Sequence, residues 1–193
     1  ARLALDAVSS IGGVPVQLEG VSLASAVSGK ALASLPGIAI VLHSEPPRST
    51  ASRVPRYLDL ALAAQHGGVP FTQSSNLLDA LHESLQSHDW AVRIAQRQRD
   101  GRWLRDALVR RGLPPLAPAS HASPVVHTVP LPASVSLQRT GEHLREAGWQ
   151  VGFESDYLRR NNWVQLSLMG EYSGAALHAL PDALLNAVRR SGA

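Results

Sequence analysis

The sequence predicts an α/β protein, because segments of strand length alternate with segments of helical periodicity. Val21 to Val27 and Gly37 to His43 are short apolar runs typical of buried strands. Between Ser74 and Arg111, apolar residues recur every three or four positions, which predicts one or two amphipathic helices ending at Gly112. From Val125 onward, strand and helix patterns alternate again.

Composition excludes several classes of protein. The 193 residues are 45% hydrophobic and 17% charged, which is enough to bury a core, and no apolar run approaches the length of a bilayer span. The chain has no cysteine, which excludes disulfides and thiolate sites and is compatible with the cytoplasmic location that we predict. We predict no membrane association, because no apolar run is long enough, and no metal site, because the eight histidines lack ligand spacing.

The positive charge is distributed in a way that argues against nucleic-acid binding. The formal net charge is +3, and the densest basic stretch runs from Arg93 to Arg111. Acidic residues interrupt this stretch, and the spacing of Arg93, Arg97 and Asp100 predicts a solvated helix face of mixed charge. We therefore predict no nucleic-acid partner.

The chain is predicted to contain two domains, residues 1–112 and 113–193, because a Pro-, Ala- and Ser-rich stretch follows Gly112. Its first six residues read as the end of a buried strand, so we expect the sequence to be a fragment. The elements predicted for the second domain are a strand (Val125 to Leu131), a helix (Ser136 to Ala147), two strands (Trp149 to Phe153 and Trp163 to Met169) and a helix (Gly174 to Arg190).

Lys30 is the only lysine in the chain, and the other 17 basic residues are arginines. Arginine supplies positive charge, whereas a desolvated lysine amine can also lose its proton and form a Schiff base. Lys30 lies in a Ser-Gly-Lys connection between the two predicted strands. This pattern indicates either a chemical use of the amine or a single lysine left on a surface loop of an arginine-rich chain.

Asp6 is the second candidate residue, since it follows a short apolar run directly. In an open α/β sheet, a group at the carboxyl end of a buried strand faces the ligand. The alternative is that Asp6 caps the serine-rich turn that follows it.

Three blocks of sequence carry a resemblance to a known family. These blocks are Asp6-Ala7-Val8-Ser9-Ser10-Ile11-Gly12-Gly13-Val14-Pro15, Ser28-Gly29-Lys30-Ala31-Leu32 and Leu35-Pro36-Gly37-Ile38-Ala39, and together they resemble the class V aminotransferases of PLP fold type I. Within that family the blocks resemble those of the 2-aminoethylphosphonate:pyruvate and alanine (or serine):glyoxylate aminotransferases. Tyr57-Leu58-Asp59-Leu60 and Pro70-Phe71-Thr72 extend the resemblance nearly end to end. It implies the C-terminal half of a large domain with a mostly parallel sheet, followed by a small α/β C-terminal domain.

The resemblance also implies an activity and a cofactor. The full-length protein would use pyridoxal 5'-phosphate (PLP) to move an amino group between a small amino compound and a 2-oxo acid. Lys30 would form the Schiff base and move the substrate proton. Asp6 would keep the pyridine nitrogen protonated, Val8 would pack against the ring, and Ser28 would help to hold the phosphate.

Thr72 matches a family position that reaches the phosphate of the neighbouring subunit, which implies a homodimer with shared active sites. One departure concerns Gln165, which stands where the family has an arginine that binds the substrate carboxylate. Glutamine cannot form a charged bidentate pair with a carboxylate. Arg159 and Arg160 lie just upstream and could replace that arginine or lie in a solvated loop. An isolated chain of this extent is expected to bind PLP poorly and to be inactive.

Two alternatives to an aminotransferase stay open at this point. One is a non-catalytic homologue that keeps the fold as a dimeric binding or interaction module, and the other is a PLP-dependent lyase. A cysteine desulfurase is excluded because the chain has no cysteine. A serine hydrolase and a nucleotide-binding loop are disfavoured because the Gly-x-Ser-x-Gly and glycine-rich motifs are absent.

Overall fold

The computed structural model describes residues 2–48 and 54–192. These residues form two compact units, which divide between His88 and Asp89, with residues 12–14 grouped with the second unit. No helix in the described ranges is long and apolar enough to cross a bilayer. In chain order the elements are β1 (Leu3–Asp6), β2 (Val21–Val27), β3 (Ala39–His43), a short 3-10 helix (Arg56–Leu58), α1 (Leu60–Gln65), α2 (Ser75–Ser87), α3 (Trp90–Arg110), β4 (Val126–Pro130), α4 (Leu137–Glu146), α5 (Asp156–Asn161), β5 (Trp163–Ser167) and α6 (Gly174–Ser191).

This order confirms the predicted α/β fold. The second compact unit contains the whole of α3, whereas the predicted boundary between the two domains follows Gly112. The helix ends close to that residue, because the Gly112 amide donates to Val109 and Gly112 itself has a φ of 74°.

The first unit is built on a three-stranded sheet in the order β1-β2-β3. The β1 and β2 strands are parallel, and β2 and β3 are antiparallel. The central strand β2 has the predicted bounds, and its small residues Ala24 and Ala26 are buried. The prediction that the flanking strands are buried is wrong, since Leu3 of β1 is 56% exposed and most of β3 is exposed. Within the part of the chain that the structure describes, each has β2 as its only neighbour in the sheet, so an apolar run of strand length does not ensure burial there.

The second unit contains the main hydrophobic core. The β4 and β5 strands pair antiparallel, while α6 packs against α3 and α4. The alternation of side chains along each strand directs Val129 and Val164 into this core, where neither is exposed. Other deeply buried members of the core are Leu104, Leu108, Leu144, Phe153, Leu166 and Leu184.

Two short segments of the second unit differ from prediction. Trp149 to Phe153 is not a strand, since only Gly152 forms a β-bridge, with Gln165. The segment that follows contains α5, which was not predicted because six residues are too few to show helical periodicity. The Ser155 side chain accepts from the Leu158 amide at its start, and Asn162 ends it in the left-handed conformation.

The predicted solvated face of α3 is also wrong, because Arg93 and Arg97 are 9% and 5% exposed. Arg97 Nη2 donates to the Gly170 carbonyl at 2.7 Å, and the Arg93 guanidinium pairs with Glu171. Arg93 Nη2 also donates to the Met169 carbonyl at 3.3 Å. Main-chain carbonyls in the turn after β5 are thus satisfied by arginines more than seventy residues earlier, and local spacing gives no sign of that.

Tyr172 completes this arginine cluster. The Arg97 guanidinium lies 4.1 Å from the centroid of the Tyr172 ring, a cation–π arrangement. The Tyr172 hydroxyl donates to Asp100 Oδ2 at 2.8 Å. Burial, followed by that hydrogen bond, raises the pKa of Tyr172 to about 12. The cluster therefore ties the connection between β5 and α6 to one side of α3.

Candidate functional site

Lys30 lies in the turn that connects β2 to β3, as predicted. Its Nζ donates to the Ser9 hydroxyl oxygen at 2.9 Å, in a partly buried position. Ser9 belongs to the turn after β1, and β1 is the parallel neighbour of β2. Since the carboxyl ends of parallel strands meet at one sheet edge, the turn that contains Ser9 and the turn that contains Lys30 come together there.

Asp6 lies at the carboxyl end of β1, and its side chain is exposed. Its Oδ1 accepts from the Val8 amide at 3.1 Å and from the Ser25 hydroxyl at 3.1 Å. The first contact caps the turn after β1, and the second ties Asp6 to β2. Across the described ranges, Oδ2 makes no hydrogen bond to protein, so that the carboxylate has one oxygen available to a ligand.

Ser28 is fully buried. Its hydroxyl donates to the Leu35 carbonyl at 2.7 Å and accepts from the Ile38 amide at 3.2 Å. The hydroxyl proton is thus committed to the main chain, and Ser28 joins the two ends of the turn that contains Lys30. The phosphate contact expected of Ser28 stays a prediction.

Three further features hold the Lys30 turn in its conformation. A Cβ added to Gly29 would lie 2.6 Å from Pro36 Cβ and 2.7 Å from Pro36 Cα, so that only glycine allows this close approach. Ala33 has a φ of 55°, and its amide donates to the Lys30 carbonyl at 2.8 Å. The Ser84 hydroxyl of α2 donates to the Leu32 carbonyl, which anchors the turn to a helix.

The structure does not bring all of the predicted residues into this hydrogen-bonded cluster. Val8 is half-buried and joins it only through its main-chain amide. Thr72 is exposed in the segment before α2, and its side chain makes no hydrogen bond within the described ranges. The adjacent Phe71 ring stacks on Tyr57, with 5.3 Å between ring centroids.

Gln165 belongs to the second unit, where it lies on β5. Its side-chain amide donates to the Thr128 hydroxyl at 3.1 Å, and its main chain exchanges two hydrogen bonds with Gly152. The two nearby arginines lie on α5 rather than in a loop, and both are exposed. Arg160 Nε donates to the Asp156 carbonyl within that helix.

Sequence reasoning did not identify Ser9 and Ser84 as site residues. The Ser9 hydroxyl lies 21 residues from Lys30, and its contact depends on β1 and β2 being parallel neighbours. Its place in the same block as Asp6 is the one signal that could have pointed to it. The contact between Ser84 and Leu32 spans 52 residues and has no sequence signal.

The chemistry of this site follows from its donor set. A partly buried primary amine can attack a carbonyl carbon, and a carboxylate can hold a proton on a ring nitrogen. Both groups are present at the sheet edge in Lys30 and Asp6, so these residues fit an aldehyde-bearing pyridine cofactor. No group of three or more metal-ligating side chains occurs in the portion that the structure describes.

Comparison with known proteins gives the following likenesses. No family model matches the chain. The 2-aminoethylphosphonate–pyruvate transaminase of Pseudomonas entomophila (strain L48) is 25% identical, over 97% of this chain and 54% of the relative. The alanine–glyoxylate aminotransferase of Nostoc sp. is 26% identical, with a TM-score of 0.85 over 98% of this chain and 54% of that structure.

A third likeness, to the ureidoglycine–glyoxylate aminotransferase of Bacillus subtilis, concerns the fold alone. That structure has a TM-score of 0.86 at 19% identity, and the match covers all of this chain and 54% of the other. The chain therefore spans about half the length of the relatives that it matches.

Proposed function

We propose that this chain, which resembles the class V aminotransferases of PLP fold type I as the sequence predicts, is part of a PLP-dependent aminotransferase. The observation that carries the proposal is the position of Lys30. The only lysine of the chain lies at the sheet edge, where its amine contacts Ser9 in the turn that follows Asp6.

Each residue of the site has a proposed task. Bound PLP would supply an electron sink for the substrate α-carbon. Lys30 would hold the cofactor covalently through Nζ and, once released, move the proton of that carbon. Asp6 Oδ2 would keep the pyridine nitrogen protonated, while Oδ1 stays bonded to the Val8 amide and Ser25. Val8 would cover one face of the ring, and Ser28 would hold the cofactor-binding turn closed.

The proposed substrates are a small amino compound and a 2-oxo acid. The names of the relatives, 2-aminoethylphosphonate–pyruvate transaminase and alanine–glyoxylate aminotransferase, support these two classes. Gln165 presents a neutral amide already bonded to Thr128, so a substrate carboxylate would bind without a charged pair from this position. We also propose a cytoplasmic location, as predicted from the sequence.

Borohydride reduction tests the proposed function. The natural protein that contains this chain is incubated with PLP, reduced, digested and analysed by mass spectrometry. We expect the mass of a reduced cofactor on the peptide that contains Lys30, because reduction makes the imine bond permanent. Attachment only at another residue, or none in a folded protein, would contradict the proposal and favour the non-catalytic binding module.

A homodimer with shared sites is also proposed, with Thr72 reaching the phosphate in the partner subunit. An exposed apolar surface next to Thr72 supports it, since Tyr57 is 81% exposed and Leu58 is 65% exposed. Further exposed apolar side chains of the same unit are Val69, Phe71 and Leu78.

Sedimentation of the natural protein tests this assembly. We expect a dimer for the wild type and mostly monomer for the double variant Tyr57→Ser, Leu58→Ser, because the two changes remove apolar area from the surface. The exposed Val92→Ser variant in the second unit is the control and should remain dimeric. A wild-type monomer at micromolar concentration would contradict the proposal.

A further inference from the structure

The amine of Lys30 contacts a hydroxyl to which the resemblance assigns no role. We propose that Ser9 is a positioning residue, which holds the Lys30 amine at the sheet edge whenever that amine is not bonded to the cofactor. The inference rests on the proposed function. Its basis is the hydrogen bond of 2.9 Å between Lys30 Nζ and Ser9 Oγ, across 21 residues of sequence.

The position of Ser9 is fixed by the main chain. The Ala7 amide donates to the Ser25 carbonyl of β2 at 3.0 Å, and the Ala7 carbonyl accepts from the Ser10 and Ile11 amides at 2.9 and 3.1 Å. Asp6 caps the same turn through the Val8 amide. The Ser9 hydroxyl therefore projects from a turn with little freedom to shift.

The stem of Lys30 is also held at its base. The buried Ser28 hydroxyl donates to the Leu35 carbonyl, and Gly29 packs closely against Pro36. The Ser84 hydroxyl donates to the Leu32 carbonyl of the same turn. Only the four-carbon side chain of Lys30 remains free to rotate. A lysine side chain has many rotamers, so a hydrogen-bond partner at its tip has a measurable effect on where the amine lies.

A serine hydroxyl suits this task because it is both a donor and an acceptor. It accepts an N–H from the lysine whether the amine is protonated or neutral, and it can donate to the lone pair of the neutral amine. Ser9 can therefore keep hold of the amine before and after Lys30 has moved a proton. A hydrocarbon side chain at this position would leave the amine to sample its other rotamers between steps.

The test compares three variants of the natural protein. Ser9→Ala removes the hydroxyl, Ser9→Thr keeps it, and Ser10→Ala removes a neighbouring hydroxyl that makes no hydrogen bond within the described ranges. The first measurement needs no turnover. Cofactor-free protein is mixed with PLP and cyanoborohydride, and the rate at which the Lys30 peptide gains the cofactor mass is followed. The second measurement is kcat and KM for amino transfer, with the unfolding midpoint of each variant as a check of the fold.

We expect Ser9→Ala to slow trapping at Lys30 by about fivefold and to lower kcat by about five- to tenfold with little change in KM, because the amine is presented correctly less often. Ser9→Thr and Ser10→Ala should lie within about twofold of the wild type in both measurements. Equal trapping and kcat in Ser9→Ala and wild type would overturn the role of Ser9. A Ser9→Thr variant that folds normally but is as slow as Ser9→Ala would also overturn it. By contrast, a wild type that is never trapped at Lys30 contradicts the proposed function itself.

Discussion

Replacing Lys30 with alanine is expected to reduce kcat/KM for amino transfer by at least about a thousandfold, because it removes both the covalent anchor of the cofactor and the group that moves the substrate proton. The site offers no substitute. Lys30 is the only lysine in the chain, and the side chain bonded to its amine is the hydroxyl of Ser9, which cannot form an imine. The measurement is the rate of 2-oxo acid formation by the natural protein.

Lys30→Arg is the matched variant, since it keeps the positive charge and the length of the side chain. We expect it to be as inactive as Lys30→Ala, because a guanidinium neither forms the imine nor gives up its proton. The unfolding midpoints of both variants should stay close to that of the wild type, since the turn is held by Ser28, Gly29 and Ser84 rather than by the amine. If either variant keeps more than about a tenth of the wild-type rate, Lys30 is not the catalytic residue.

Gly101→Ala is expected to destabilise the second unit by more than about 3 kcal/mol. Gly101 is buried in the middle of α3, and an added Cβ would lie 2.1 Å from the Pro124 carbonyl oxygen and 2.7 Å from Pro124 Cα. These are main-chain atoms at the entry to β4, which cannot turn aside as a side-chain tip can. The clash outweighs the gain of about 1 kcal/mol that alanine gives in a helix interior. Chemical denaturation measures the difference.

Gly174→Ala provides the control, because Gly174 also lies in a helix, α6, and an added Cβ would meet no atom within 4 Å. We expect that variant to be as stable as the wild type or up to about 1 kcal/mol more stable. A Gly101→Ala protein with the same denaturation midpoint as Gly174→Ala would show that α3 does not pack against Pro124 in solution.

Local patterns account for what the sequence could predict. The bounds of β2 and the positions of α2 and α3 follow from periodicity within a single segment, and the resemblance of short motifs points to Lys30 and Asp6. The predictions that were wrong concern burial and contacts, which depend on neighbours distant in sequence. The burial of β1 and β3 is decided by what lies beside them, and a short apolar run carries no information about that.

The hydrogen-bond partners of polar side chains could not be predicted from local sequence either. The Arg97 guanidinium meets the Gly170 carbonyl across 73 residues, and helical spacing alone made that face of α3 look solvated. Likewise, the contact between Ser9 and Lys30 requires the parallel pairing of two strands before it can form. The contacts of Ser28 with the Leu35 carbonyl and the Ile38 amide were likewise not predicted, while its contact with the cofactor phosphate stays a prediction.

The arginine cluster changes what the outside of the molecule presents to dissolved ions. The formal excess of +3 counts Arg93 and Arg97 in full, yet their guanidiniums lie inside the second unit. The Glu171 carboxylate that pairs with Arg93 is 60% exposed, so the outward side of this ion pair is the acidic one. The net charge is unchanged by this burial, but polyanions meet a shorter basic stripe along α3 than the sequence suggests.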